Sequence, residues 1–301
     1  MIEREAGMGL VGSAYLRAVQ AVGRRLDYGT SIYERDWDVL VVLDACRPDA
    51  LRTATDAVDH IEAADVGTMR SVGSCSSEWL ESTFMTDRNT TAVERTAMVT
   101  GNTWTDRYLD ADRFALLDEV WKYAWDEELD TVPADAVTDR AIQVARHRDH
   151  EQLVVHYMQP HHPFVPDPLD GDSGMARTGA HSSATSPWVL LRRGDVPGER
   201  VRAAYDANLR YALSSVETLL DNVDGRVAVT ADHANLFGEW GLYGHPMYTP
   251  VPALVTVPWS ETTAEDRATR DPDLTPPESL PVSRVYDADG DESRLEALGY
   301  L

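Results

Sequence analysis

The chain has 301 residues, 27 basic and 51 acidic, with a formal net charge of −24. That length can bury a full core, as one large domain or as one domain plus an appendage. A surface so acidic repels nucleic acid and anionic lipid, so neither is expected as a partner.

Lys122 is the only lysine; every other basic residue counted is arginine. An acidic, lysine-poor composition resembles that of proteins from halophilic archaea, in which salt screens self-repulsion. Cys46 and Cys75 are the only cysteines, too few for a disulfide framework, and read as small buried thiols. No apolar run approaches the roughly 18 residues of a membrane span. Residues 1–26 lack the apolar centre of a signal peptide. A cytoplasmic protein is expected.

Residues 10–26 pattern as a helix with Leu10, Tyr15, Leu16, Val19 and Val22 on one side, within an N-terminal extension covering residues 1–35. Residues 39–43, a β-branched run without polar alternation, read as a strand buried on both faces of a parallel sheet. The run stops at Asp44, and Pro48 suits the first turn of a helix reaching about residue 54. Residues 61–66 pattern as a short strand. Gly73 permits a tight turn, and the serines after it are good N-caps for a helix running to about residue 84. Residues 93–100 read as a strand, 112–127 as an aromatic-rich helix and 134–148 as an amphipathic helix with Ala136, Ile142 and Val144 inward.

Residues 152–158 form a third buried strand that runs into Gln159-Pro160-His161-His162-Pro163-Phe164. Residues 165–200, rich in Gly, Ser, Pro and Asp, are expected to be a long loop excursion that sets substrate choice. A helix follows at 198–222, then a strand at 227–230 ending in Asp232-His233, and a turn, Gly244-His245-Pro246. A last strand is expected at 251–257 and a short closing helix at 293–298. Strands that alternate with helices give an α/β fold: a mostly parallel central sheet with helices on both faces, over residues 36–301.

Asp44, a serine at a helix start, His161, and Asp232-His233 with His245 behind them all fall at strand ends or turns, where open α/β sheets place ligands. Asp and His suit a divalent Zn, Mn or Mg ion. A helix N-terminus favours an anion, and a hydroxyl there is well sited to attack a phosphate or sulfate ester. A free serine is a weak nucleophile and needs a metal or base to activate it. Histidines and Arg47 would hold the anionic group. Each position also has a plain reading: the serines can be caps only, and Arg47 can simply pair with Asp49.

The segments Leu43-Asp44-Ala45-Cys46-Arg47-Pro48-Asp49, Tyr157 to Phe164, and Thr230-Ala231-Asp232-His233 with Gly244-His245 resemble those of the alkaline phosphatase/sulfatase superfamily. Arg294 to Leu301 is similar to the usual end of sulfatase-like chains. The resemblance implies Asp44, Asp232 and His233 as metal ligands, completed by the nucleophile oxygen. It implies His161 and His245 as ligands of substrate or of a second metal, with His162 able to exchange roles with His161. Ser74 aligns as the nucleophile, and Ser76 fits nearly as well. Formylglycine is not expected, because Ser74-Cys75-Ser76-Ser77-Glu78 lacks the Pro and Arg of the sulfatase signal. The chain is shorter than many sulfatases, which implies a reduced C-terminal subdomain. The expected activity is hydrolysis or transfer of a phosphate or sulfate ester, of glycan or lipid-linked type. The alternative is a catalytically degenerate module that binds an anionic glycan or lipid-linked sugar.

Overall fold

The structure is a computed structural model that describes residues 10–147, 149–172 and 185–278. Its strands are β1 (Val39–Leu43), β2 (Gly67–Arg70), β3 (Thr96–Thr100), β4 (Leu116–Glu119), β5 (Gln152–Tyr157), β6 (Gly225–Thr230), β7 (Leu236–Phe237), β8 (Tyr243–Gly244) and β9 (Thr256–Ala264). Its α-helices are α1 (Leu10–Gly23), α2 (Pro48–Ala54), α3 (Ser76–Phe84), α4 (Thr90–Val93), α5 (Thr105–Tyr108), α6 (Ala134–His147), α7 (Pro187–Arg193), α8 (Gly198–Leu220) and α9 (Pro252–Val255).

Seven strands form the main sheet in the order β2-β9-β6-β1-β5-β3-β4. The five from β6 to β4 are parallel. β9 runs antiparallel to β6, and β2 antiparallel to β9. β7 and β8 make a separate two-stranded hairpin. Every residue of β1 is buried, as its unbroken apolar run requires of a strand covered on both faces.

The alternation of side chains along β5 shows how the faces are covered. Tyr157 reaches Thr138 of α6, hydroxyl to hydroxyl at 2.7 Å. Its neighbour His156 points the other way and meets the edge of Trp79 on α3, ring centroids 5.5 Å apart. So α6, with α8 packed beside it, covers one face, and α3 covers the other.

The register places the site. Val42 pairs with His156 on one side and Thr230 on the other. Asp44 and Asp232, each two residues further on, therefore leave the same sheet edge side by side. β1 lies between strands reached in opposite directions along the sheet, which is the switch point where open α/β folds bind ligands.

Four local expectations are corrected. Residues 61–66 are not a strand: a 3-10 turn spans Ala63–Asp65 and the strand begins at Gly67, where β9 offers an antiparallel partner. Residues 112–127 are not helical: Leu116–Glu119 pairs in parallel with β3, between 3-10 turns at Ala111–Arg113 and Val120–Lys122. Tertiary pairing outweighs local pattern there. The strand expected at 251–257 is displaced, because Pro252 opens the short α9 and the chain becomes extended only from Thr256. Within 165–200, Ser186 caps α7 by accepting the Val189 N–H, and Trp188 is buried. The closing helix expected at 293–298 lies outside the described residues.

α1 packs away from the sheet, with Leu16 in a small cluster beside Leu236, Leu242 and Leu254. Beyond β9, residues 265–278 form no helix or strand, and Arg146 holds this stretch through Asp266 at 2.8 Å. Among the described residues, no helix is long and apolar enough to cross a membrane.

Candidate active site and metal centre

Asp44 continues the β1 ladder by donating its N–H to Tyr157 O at 3.1 Å. Ala45 then takes a left-handed φ of 62°. This turn aims the Ala45 N–H at Asp232 Oδ1, 3.1 Å away, and the Ala45 carbonyl accepts the buried Tyr205 hydroxyl at 2.8 Å. Asp232 Oδ1 also accepts the His233 N–H at 2.9 Å. The second oxygen of Asp232 and Oδ1 of Asp44 have no hydrogen-bond partner, although both carboxyls are buried.

Three further groups close around these oxygens. His233 Nδ1 lies 2.7 Å from Ala234 O; a carbonyl can only accept, so Nδ1 carries the proton. Nε2 then faces inward, 3.5 Å from Asp44 Oδ1 and 3.4 Å from Asp232 Oδ2. Ser76, the first residue of α3, places its hydroxyl 3.3 Å from both Asp44 Oδ2 and His233 Nε2. Asn102, just beyond β3, donates to Asp44 Oδ2 at 2.9 Å.

These residues fit a divalent cation. Two buried carboxylates side by side, with no arginine or lysine paired to them among the described residues, are costly. Burial, and then the charge of Asp232, push the Asp44 carboxyl well above the usual range. A bound cation would reverse that penalty. Ligand atoms about 2.0–2.1 Å from a tetrahedral ion stand about 3.3–3.5 Å apart, and His233 Nε2 lies 3.5 Å from Asp44 Oδ1, 3.4 Å from Asp232 Oδ2 and 3.3 Å from Ser76 Oγ. The oxygen-and-imidazole donor set suits Zn, Mn or Mg, and the Nδ1–carbonyl bond is the usual way to orient a ligating histidine.

His156 was not singled out from the sequence. Its Nε2 lies 4.0 Å from Asp44 Oδ2 and 3.9 Å from Asp232 Oδ2, and neither ring nitrogen has a hydrogen-bond partner. With Asp44 and Asp232 it forms a buried group with metal-ligand spacing. Burial lowers its pKa to about 4, so the ring is neutral and offers a lone pair. The available signal was one histidine inside an otherwise apolar strand. Asn102 also went unmarked, since an asparagine after a strand reads as a turn residue.

His161 and His245 come together, Nε2 to Nε2 at 3.1 Å. His161 Nδ1 lies 2.5 Å from His162 O. The His245 ring also lies against His233, tilted by 35° with centroids 4.7 Å apart, so the pair adjoins the carboxylate group. Burial, then neighbouring His233 and His161, hold His245 well below the ordinary histidine pKa. His162 stacks on His161 at 4.6 Å and its Nδ1 lies 3.4 Å from Asp172.

Ser74 and Arg47 are placed elsewhere. Ser74 Oγ accepts the Thr249 N–H at 2.9 Å, and its single proton lies between two acceptors, Glu78 Oε2 at 2.9 Å and Pro246 O at 3.1 Å. It ties α3 to the loop after His245 and has no contact with Asp44, Asp232 or His233. Arg47 bonds Asp49 through Nε at 2.9 Å, and Glu239 and Asn235 O through Nη1 at 2.6 and 2.8 Å. Cys75 is the N-cap residue of α3 without a side-chain cap bond; its sulfur lies 3.2 Å from Ser77 Oγ, and burial pushes the thiol far up. Cys46 is buried likewise.

No family model and no curated protein matches the chain. Solved structures do. The chain is similar to the soluble domain of lipooligosaccharide phosphoethanolamine transferase A from Neisseria meningitidis, with a TM-score of 0.50 and 15% identity, over 75% of this chain and 76% of that one. It is also similar to the periplasmic domain of phosphoethanolamine transferase EptC from Campylobacter jejuni, with a TM-score of 0.48 and 16% identity, over 74% and 77% of the two chains. A protein in the alkaline phosphatase superfamily from Vibrio parahaemolyticus aligns with a TM-score of 0.43 and 10% identity, over 98% and 77%. The fold is alkaline phosphatase-like. At these identities the likeness speaks for architecture alone.

Proposed function

We propose that the chain is a metal-dependent enzyme that hydrolyses or transfers a phosphate ester, with Ser76 as the nucleophile. One observation carries this reading. The Ser76 hydroxyl stands 3.3 Å from both Asp44 Oδ2 and Nε2 of His233, beside carboxylate oxygens that have no partner. Asp44, Asp232, His233 and the Ser76 oxygen would hold a divalent cation, and His156 stands near enough to join them. Such an ion lowers the pKa of a coordinated hydroxyl and polarises the ester oxygen.

The chain's own groups supply the rest. Ser76 is the first residue of α3, and a helix N-terminus favours an anion beside it. Ser76 Oγ bonds to phosphorus as the P–O bond to the leaving group breaks, and the Ser76 proton passes to a neighbouring base. His161 and His245 hold the phosphoryl oxygens or protonate the departing one. Water or an acceptor alcohol then takes the phosphoryl group from Ser76 and regenerates the hydroxyl. Phosphoethanolamine transfer is named for two of the similar structures, and a lipid- or glycan-linked phosphate ester is the substrate class proposed. An unmodified serine makes formylglycine unnecessary.

The test is turnover of nitrophenyl phosphate, a bis-nitrophenyl phosphate diester and nitrophenyl sulfate, in concentrated KCl with Mn or Zn. Phosphate turnover that chelator abolishes and metal restores is expected. Full activity in Ser76→Ala would overturn the nucleophile. Tight anion binding without turnover of any ester would favour the non-catalytic alternative.

A further inference from the structure

Among the described residues, the exposed large apolar side chains are Tyr15, Val22, Leu26, Leu116 and Trp240. All but Leu116 belong to one corner. Tyr15 and Val22 are on α1, and Leu26 follows it. Trp240, 70% exposed, is in the turn joining β7 to β8. α1 docks on this corner by its opposite side, where Leu16 is buried with Leu236, Leu242 and Leu254. Gly23 lies so close to the Tyr248 carbonyl that no side chain would fit. Tyr15, Ala18 and Val22 are three and four residues apart, so they make one solvent-facing stripe that Leu26 extends.

The Trp240 turn is fixed. Trp240 adopts a φ of 60°, a left-handed conformation that bulky residues avoid. Glu239 beside it is held by Arg47 at 2.6 Å and accepts the Phe237 N–H at 2.6 Å. A strained backbone that presents a bare indole to solvent invites a role at the surface.

Charge identifies the occupant. Residues 10–26 contain Arg17, Arg24 and Arg25 and no acidic residue, within a chain of net charge −24. Asp27, the next acid, pairs with Arg88 at 3.5 Å. At physiological salt only charges within about 8–10 Å of an interface act strongly on it, so the acidic surface elsewhere is screened. Arg24 lies over the Tyr248 ring, 4.4 Å from its centroid, while Arg17 and Arg25 are exposed. An apolar helix stripe on an arginine-bearing, acid-free segment, with an exposed tryptophan in the turn of the hairpin it packs on, is the make-up of an element that lies among lipid headgroups.

We infer that α1, Leu26 and Trp240 form a docking face for an anionic lipid bilayer. A second copy is disfavoured as the occupant, because like arginines would meet across a symmetric contact. For this corner the local charge overrides the expectation drawn from net charge. β8, which follows the Trp240 turn, runs directly into His245, so docking would hold the catalytic edge near the surface. The inference does not depend on turnover.

The experiment is flotation of the full chain with phosphatidylglycerol vesicles and with phosphatidylcholine vesicles, at low and high KCl. The parent is expected to float with phosphatidylglycerol. Partitioning should fall roughly tenfold or more in the double variant Val22→Glu/Leu26→Glu, and several-fold in Trp240→Ser. Circular dichroism should be unchanged, since all three positions are exposed. Failure of the parent to float, or equal flotation of parent and variants, would overturn the inference. So would a dimer in sedimentation that the double variant dissolves, which would make the face a contact between copies.

Discussion

Two groups of charged side chains flank the turn after β1, and they are completed in opposite ways. In one, Arg47, Asp49, Arg202, Asp206 and Glu239 pair among themselves at 2.6–3.0 Å. In the other, only a few residues away, Asp44 and Asp232 stand together and each leaves an oxygen without a hydrogen bond. No arginine or lysine reaches them among the ion pairs of the described residues. The first group needs nothing from outside the chain. The second calls for a cation, because buried like charges are tolerated only with a counter-charge. The same contrast separates two serines: Ser74 is fully bonded within the fold, while Ser76 faces the carboxylates.

The serines offer the sharpest break. Ser76→Ala should lower turnover about a thousandfold or more while leaving the thermal midpoint nearly unchanged. Ser74→Ala should do the reverse, since removing a buried hydroxyl strands its partners at a cost of about 1–3 kcal/mol, with turnover altered far less. Kinetics and thermal melts on both variants check the contrast; equal kinetic losses would erase it.

Next in size is Asp44→Asn. Metal content, measured by elemental analysis after gel filtration, should fall at least about tenfold. In chelator the same variant should melt higher than the parent, because it removes one of two buried like charges. A lower melting point in chelator would mean that Asp44 is satisfied without a cation.

His156 separates a ligand from a packing role. His156→Phe keeps a ring against Trp79 but removes both nitrogens. If His156 contributes a lone pair, divalent affinity in a metal titration should drop about tenfold. Unchanged affinity would leave the ring as packing alone.

The smallest effect belongs to the paired group. Burial raises the Glu239 carboxyl, but the N–H groups of Glu239 and Phe237 and the charge of Arg47 outweigh it and hold the pKa below the ordinary 4.5. The stability it adds is therefore present above about pH 4.5 and is lost as pH falls through the folded value. Glu239→Gln should cost under about 1 kcal/mol near neutrality, as for other partly exposed pairs. The difference from the parent should vanish in acid denaturation profiles below that window.

Much of this architecture was legible in residue order. The run from Val39 to Leu43 could only be a strand covered on both faces, because it offers no polar side to water. Asp44, His161, Asp232, His233 and His245 stood out because carboxylates and imidazoles end apolar runs or sit in Pro- and Gly-marked turns. Periodicity likewise marked α6 and α8, whose apolar positions repeat at helical spacing.

Other features depended on partners distant in sequence. β4 is a strand because β3 lies beside it, against the local pattern. His156 joins the site because Val42 and Thr100 flank it across the sheet, and no local pattern carries that register. Between Ser74 and Ser76, spacing could not decide. A helix start presents residues on different sides, and only the packing of α3 against the end of β1 turned Ser76 inward and Ser74 toward Pro246 and Thr249. The sequence by itself determined which side chains could do the chemistry, since donor type is intrinsic to the residue. The tertiary structure decided which of them meet, because strand register and helix docking set distances that the order of residues does not contain.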